Sequence, residues 1–100
     1  MDKETCIQAC LACEEACDRC AAEMVIVDPN SRCITLCNEC SEQCRACIEA
    51  VNQGSDSECA ECARMCKECA EECDKHHHEH CRACAEACRK CAEACGKQAA

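Results

Sequence analysis

The chain has 100 residues, 20 of them cysteine and none aromatic, with a formal net charge of −9. That length suits one domain, residues 1–100, and the acidic balance argues against nucleic acid or an anionic membrane as partner. No stretch is long or apolar enough to cross a bilayer, and Met1-Asp2-Lys3-Glu4-Thr5 lacks the apolar core of a signal peptide, so a reducing cytosol is the expected compartment.

In chain order, the first predicted helix carries Cys6, Cys10, Cys13, Cys17 and Cys20, in steps of four and three. Steps of three and four mark the a/d seam of a packed helix. Asp28-Pro29 reads as an N-cap followed by the first helical residue, so the second helix is expected from about Pro29. It carries Cys33, Cys37, Cys40, Cys44 and Cys47 and stops at Asn52-Gln53-Gly54, with Gly54 suited to the left-handed position after a helix. Ser55-Asp56-Ser57-Glu58 reads as a capping box for a third helix with Cys59, Cys62, Cys66, Cys69 and Cys73. A tight connection from Asp74 to Glu79 holds His76, His77 and His78. The fourth helix bears Cys81, Cys84, Cys88, Cys91 and Cys95 and is expected to close at Gly96.

Short connections make neighbouring helices antiparallel, so the fold class is all-α: an up-down-up-down four-helix bundle with a cysteine core. Matching the phases pairs the thiols in five layers: Cys6/Cys47/Cys59/Cys95, Cys10/Cys44/Cys62/Cys91, Cys13/Cys40/Cys66/Cys88, Cys17/Cys37/Cys69/Cys84 and Cys20/Cys33/Cys73/Cys81. Layers ~5 Å apart make a tube ~21 Å long, from the 1.5 Å rise per helical residue. Small flanking residues such as Ala63, Ala70, Ala85 and Ala92 let the helix axes approach closely. Large aliphatics are few, so the fold is expected to gain stability from whatever binds the thiols.

Several chemistries compete for such a core. Cysteine as mere filler fails on volume, because cores choose Leu and Ile. A disulfide framework suits the even count, but cysteines on one helix face are poorly oriented for unstrained bridges. Iron–sulfur runs often end in Cys-Pro, and Pro29 follows no cysteine. A thiol redox reservoir remains as an alternative, as does a metallothionein-like zinc or cadmium buffer. Thiolates favour soft ions, and charge separates copper from zinc. Twenty thiolates with twenty Cu(I) ions are neutral, whereas five Zn(II) ions leave −10 in the tube, with no inward Lys or Arg to offset it. Cu(I) with bridging thiolates therefore fits better, as multi-ion storage and not as an enzyme. Beyond Cys20 the seam reaches Met24; beyond Cys73 it reaches His76, and His77 lies one turn before Cys81. The other end offers only Lys3, Val51, Ser55 and Gln98, so metal is expected to enter at the Met24/His76/His77 end, with His78 and His80 adjacent.

The whole chain resembles the bacterial copper storage proteins, cysteine-lined four-helix bundles, and is most similar to their cytosolic branch. The most specific segment runs from Cys73-Asp-Lys-His-His-His-Glu-His-Cys81 through Cys95. The resemblance implies Cu(I) held by pairs such as Cys6/Cys10, Cys13/Cys17, Cys84/Cys88 and Cys91/Cys95, His and Met at the mouth, and tetramers of bundles. The expected partners are thus copper ions, a copper chaperone and further copies of the chain. The absence of aromatics and the unbroken thiol column depart from the family pattern, which leaves open a heavily loaded natural member or an engineered one. Aliphatics available for an interface are limited to Ile7, Leu11, Ile34, Leu36 and Ile48.

Overall fold

A computed structural model describes residues 3–100. Four helices follow in order: α1 (Lys3–Val27), α2 (Arg32–Asn52), α3 (Cys59–Cys73) and α4 (Glu79–Ala99). Each packs against its two neighbours in the cycle α1–α2–α3–α4, while the backbones of opposite helices stay apart. The extents are 40 × 17 × 17 Å, a slender square bundle with its axis along the thiols. All twenty cysteines are buried. Ala21, Ala63, Ala70, Ala85 and Ala92 are buried beside them, so the helices close over side chains of one or two heavy atoms. Leu36 is buried in its own bundle and so is withdrawn from any interface between copies; Leu11 is exposed and Ile7, Ile34 and Ile48 are half-buried.

Three helix boundaries differ from their sequence expectation. Pro29 does not start α2. Asp28 N–H instead closes α1 on the Met24 carbonyl, and Ser31 N–H bonds the Asp28 carbonyl at 3.0 Å, which makes Asp28–Ser31 a turn with Pro29 at its second position. Proline suits that position as well as it suits a first helical turn, since both need φ near −65°. Ser31 is the N-cap: its backbone is extended and its Oγ accepts from Cys33 N–H at 3.1 Å. The capping box before α3 does not form. Ser55 Oγ accepts from Ser57 N–H at 3.2 Å, and the Glu58 carboxylate accepts from Gln43 of α2 at 2.9 Å. A tertiary hydrogen bond has taken the group the box required. Gly54 behaves as expected, with φ +84° after α2.

Gly96 does not end α4, which runs on to Ala99. Glycine inside a helix is destabilising by roughly 0.5–1 kcal/mol relative to alanine, and a Cβ at Gly96 meets nothing within 4 Å. Gly96→Ala is therefore expected to stabilise the apo bundle by about 0.5–1 kcal/mol in denaturant unfolding. Gly54→Ala, at positive φ, should destabilise it by about 1 kcal/mol.

Candidate metal centre

The seam spacing sends five side chains from each helix to one axis, and the sulfurs meet there in the five layers the phases require. In the first, Cys95 Sγ lies 3.8 Å from Cys6 and 3.9 Å from Cys47, which lies 3.7 Å from Cys59. In the second, Cys10, Cys44, Cys62 and Cys91 are linked at 3.7–4.0 Å. In the third, Cys13 lies 3.8 Å from Cys40, 3.8 Å from Cys66 and 3.6 Å from Cys88. The fourth joins Cys17 to Cys84, Cys84 to Cys37 and Cys37 to Cys69 at 3.6–3.8 Å. The fifth joins Cys81 to Cys20, Cys20 to Cys33 and Cys33 to Cys73 at 3.5–3.8 Å. Several of these contacts, such as Cys13–Cys66 and Cys37–Cys84, connect helices that sit diagonally across the bundle. Opposite helices, whose backbones stay apart, thus meet through their thiols.

Sulfurs also approach between layers: Cys10 lies 3.5 Å from Cys95, Cys17 lies 3.8 Å from Cys88, and Cys33 lies 3.8 Å from Cys37. Four-sulfur groups close enough to share an ion consequently overlap. Cys6/Cys10/Cys47/Cys95 and Cys10/Cys62/Cys91/Cys95 have two sulfurs in common, and Cys13 belongs both with Cys44/Cys66/Cys91 and with Cys17/Cys40/Cys88. A metal–sulfur bond of ~2.3 Å puts tetrahedral sulfurs ~3.8 Å apart, close to what is seen. Length alone does not choose the ion. The sharing does bear on it, because isolated tetrahedral zinc sites need four thiolates each, whereas this column offers sulfurs placed to bridge.

All twenty cysteines are free thiols. For three thiols in the end layers burial dominates: it pushes Cys6 up to about 12 and Cys81 up to about 11, and it raises Cys59. For the others, thiol hydrogen bonds divide the set. Cys62 and Cys84 are lowered, first through bonds with Cys10 and Cys17 respectively. Cys10 and Cys17 are raised, first through Cys44 and Cys13. A thiolate here is thus stabilised by neighbours that must keep their own protons, and the column resists losing them all unless cations arrive.

The two ends differ. Met24 is fully buried and continues the column, its Sδ accepting from the Cys81 thiol at 3.6 Å. His80 Nδ1 lies 3.5 Å from Cys81 Sγ, and its ring stacks on that of His78. His76 is half-buried, with Nε2 3.4 Å from Glu72 Oε2. Glu72 is itself buried and also holds Arg32 at 3.3 Å and Lys75 at 3.4 Å, so it ties the start of α2 to the end of α3 at this end of the bundle. His77 is exposed on the turn. The structure therefore brings Met24 and His80 against the thiols, holds His76 on Glu72, and leaves His77 outward. Spacing passed over His80 as the nearest imidazole, although its place next to Cys81 was a signal. It also passed over Glu72, an acid at a flanking position of a helix whose other flanking residues are Ala63, Met65 and Ala70. At the far end Val51 closes the core, and Gln98 bonds Asp56 at 2.8 Å.

The family model described as copper storage protein matches residues 1–100. No curated protein gives a significant match. Among solved structures, apo copper storage protein 3 from Bacillus subtilis is 41% identical, with a TM-score of 0.91 over 99% of this chain and 100% of that one. The Cu(I)-bound copper storage protein BsCsp3 is 41% identical, with a TM-score of 0.92 over 97% of each chain. A cytosolic copper storage protein from Streptomyces lividans carrying five coppers is 33% identical, with a TM-score of 0.89 over 97% of this chain and 91% of that one. The four-helix architecture is thus shared with these proteins, and the chain belongs to the copper storage protein family.

Proposed function

We propose that residues 1–100 act as one store that holds roughly one Cu(I) per core cysteine, as cytosolic sequestration and not catalysis. The observation that carries this is the unbroken, fully buried column in which neighbouring four-sulfur groups share ligands. The Cu(I)-bound and copper-loaded relatives support it, and the cytosolic description of the Streptomyces protein supports the compartment. No helix among the described residues is long and apolar enough to cross a membrane. The ligands are the thiolates of Cys6, Cys10, Cys13, Cys17, Cys20 and their fifteen partners on α2, α3 and α4. Each protonated thiol that binds must release its proton, so uptake acidifies an unbuffered solution and weakens at low pH. Anaerobic titration of the reduced chain with Cu(I) against a competing chelator tests the reading. Saturation near twenty ions supports it; saturation near five, or preferential zinc binding in mixed-metal medium, contradicts it.

Metal enters at the Met24 end in the same reading, where a copper chaperone would deliver it. Met24 and His80 touch Cys81, while His76 is held on Glu72 and His77 is exposed. A Met24→Ala/His76→Ala/His77→Ala variant is expected to load about tenfold more slowly in stopped-flow mixing, with total capacity changed by no more than about one ion. Unaltered loading kinetics would remove the mouth from the account. A tetramer would rest on Leu11 and the half-buried Ile7, Ile34 and Ile48, and sedimentation velocity checks it.

A further inference from the structure

Nineteen of the column cysteines have no exposed surface; Cys6, at the end away from the histidines, retains 1%. It stands in the wall of a groove between α1 and α4 of about 420 Å³, a size at the lower end of small-molecule sites. The other walls carry Arg89, Lys90 and Lys97, opposed by Glu93 alone. Ala9 and Ala94 keep it open. Arg89 to Lys97 spans ~12 Å of helix, so the positive charge lines its length. This is unusual for a chain of net charge −9: α4 is the one helix in which basic residues outnumber acidic ones.

The three cations have surface partners: Arg89 with Asp74 at 3.0 Å, Lys90 with Glu86 at 3.5 Å and Lys97 with Glu93 at 3.5 Å. Every one of these side chains is more than half exposed. Exposed pairs of this kind are weak and exchangeable, so an incoming carboxylate can compete for the cations. Behind Cys6 the path runs directly into the column. Cys95 lies 3.8 Å from Cys6, and Cys10, Cys91 and Cys47 lie within 3.9 Å of Cys95.

We propose that this groove is a second, lateral portal, at which a small thiol bearing carboxylates docks and exchanges Cu(I) with Cys6. The carboxylates sit on Lys90, Lys97 and Arg89, and the thiol faces Cys6. In the exchange the incoming sulfur forms a bond to Cu(I) as the Cys6–copper bond breaks. The proton of the incoming thiol passes to the Cys6 sulfur, and copper remains Cu(I) throughout. Cys95 then passes its Cu(I) to Cys6 and takes the Cys6 proton in return. Cys6 and Cys20 are fourteen residues apart on α1, ~21 Å, so this route is separate from the Met24 end. The exchange rests on the copper reading; the groove and its charge preference do not.

Two arms test them separately. In the first, reduced apo protein receives a brief anaerobic exposure to a dianionic aromatic disulfide or to dicationic cystamine, and labelled cysteines are mapped by mass spectrometry. Cys6 should be labelled first. The anionic reagent should be favoured about tenfold relative to a model thiol, as electrostatic steering into a charged cleft allows. A Lys90→Gln/Lys97→Gln variant should lose most of that preference while keeping its circular dichroism. Labelling that starts at Cys81, or on all thiols at once, or a preference unmoved in the variant, overturns the portal. In the second arm, copper-loaded protein is unloaded by glutathione or by cationic cysteamine. Glutathione should unload faster, with the variant slowed about tenfold toward glutathione only. Equal rates for both thiols refute exchange at the groove. Failure of the protein to load copper at all refutes the storage reading and leaves the first arm to decide the groove.

Discussion

Copper loading is expected to raise the thermal midpoint of this bundle by at least about 20 °C. The apo core is poor in apolar volume: Leu36, Met24 and Val51 are its large buried side chains, and the rest is cysteine and alanine. Buried cysteine contributes as a small hydrophobe only, and a domain of this length is marginal even with an ordinary core. Ions bound by the folded column and not by the dispersed chain add stability by mass action. One ion at a thousandfold excess over its dissociation constant adds about 4.1 kcal/mol. For a chain of this size 1 kcal/mol moves the midpoint by about 4–8 °C, so two such ions already account for the expected shift. Thiols of the unfolded chain also bind Cu(I), which keeps the gain below a simple sum over twenty ions. Calorimetry of apo and loaded protein, both kept anaerobic, checks it. Equal midpoints would mean that metal binds without engaging the core.

The second large effect is with pH. Cys6 and Cys81 have thiol values raised from 9.0 to about 12 and about 11, first by burial. Cys10, Cys17 and Cys91 are raised as well, first by hydrogen bonds with Cys44, Cys13 and Cys10 respectively. The unfolded chain ionises these thiols near pH 9 and the folded one does so later. Between those values the unfolded state therefore binds fewer protons, and stability falls as pH rises. The contribution is complete below about pH 9 and is lost as pH passes through the folded values, near 11 to 12 for the two end thiols. The apo bundle should unfold cooperatively in anaerobic base over that window, with loss of the far-ultraviolet helix signal. The loaded bundle should not, because its thiols have already exchanged protons for metal. A flat apo stability from pH 8 to 11, or the same loss in loaded protein, would show that the buried thiols are not what couples this fold to pH.

The thiol layers were legible because a/d spacing is a geometric repeat that survives folding. Cys6 through Cys20 and Cys33 through Cys47 can face one another in only one antiparallel register if all ten are buried. The closure of the far end by Val51 followed from the same extension of the seam. The misread boundaries involve residues with two good local uses. Pro29 suits a turn or a helix start, and the Ser31 hydroxyl decided between them. Glu58 suits a capping box or a cross-helix hydrogen bond, and Gln43 took it. Gly96 suits a helix end, but nothing in the tertiary packing required α4 to stop there. At the histidine end, spacing located four imidazoles but not their aim. His80 turns to its neighbour Cys81, and His76 turns to Glu72, a buried carboxylate that also gathers Arg32 and Lys75. That network joins α2, α3 and the turn, and no local pattern shows it.

In the proposed function the bundle axis itself holds the metal. Anomalous diffraction at the copper edge from crystals of the Cu(I)-saturated chain tests it most directly. A continuous run of copper peaks is expected along the axis, from the Cys6/Cys95 layer to Met24, with sulfurs shared between successive ions. Peaks confined to the histidine turn and the protein surface, or about five isolated four-sulfur sites, would contradict it.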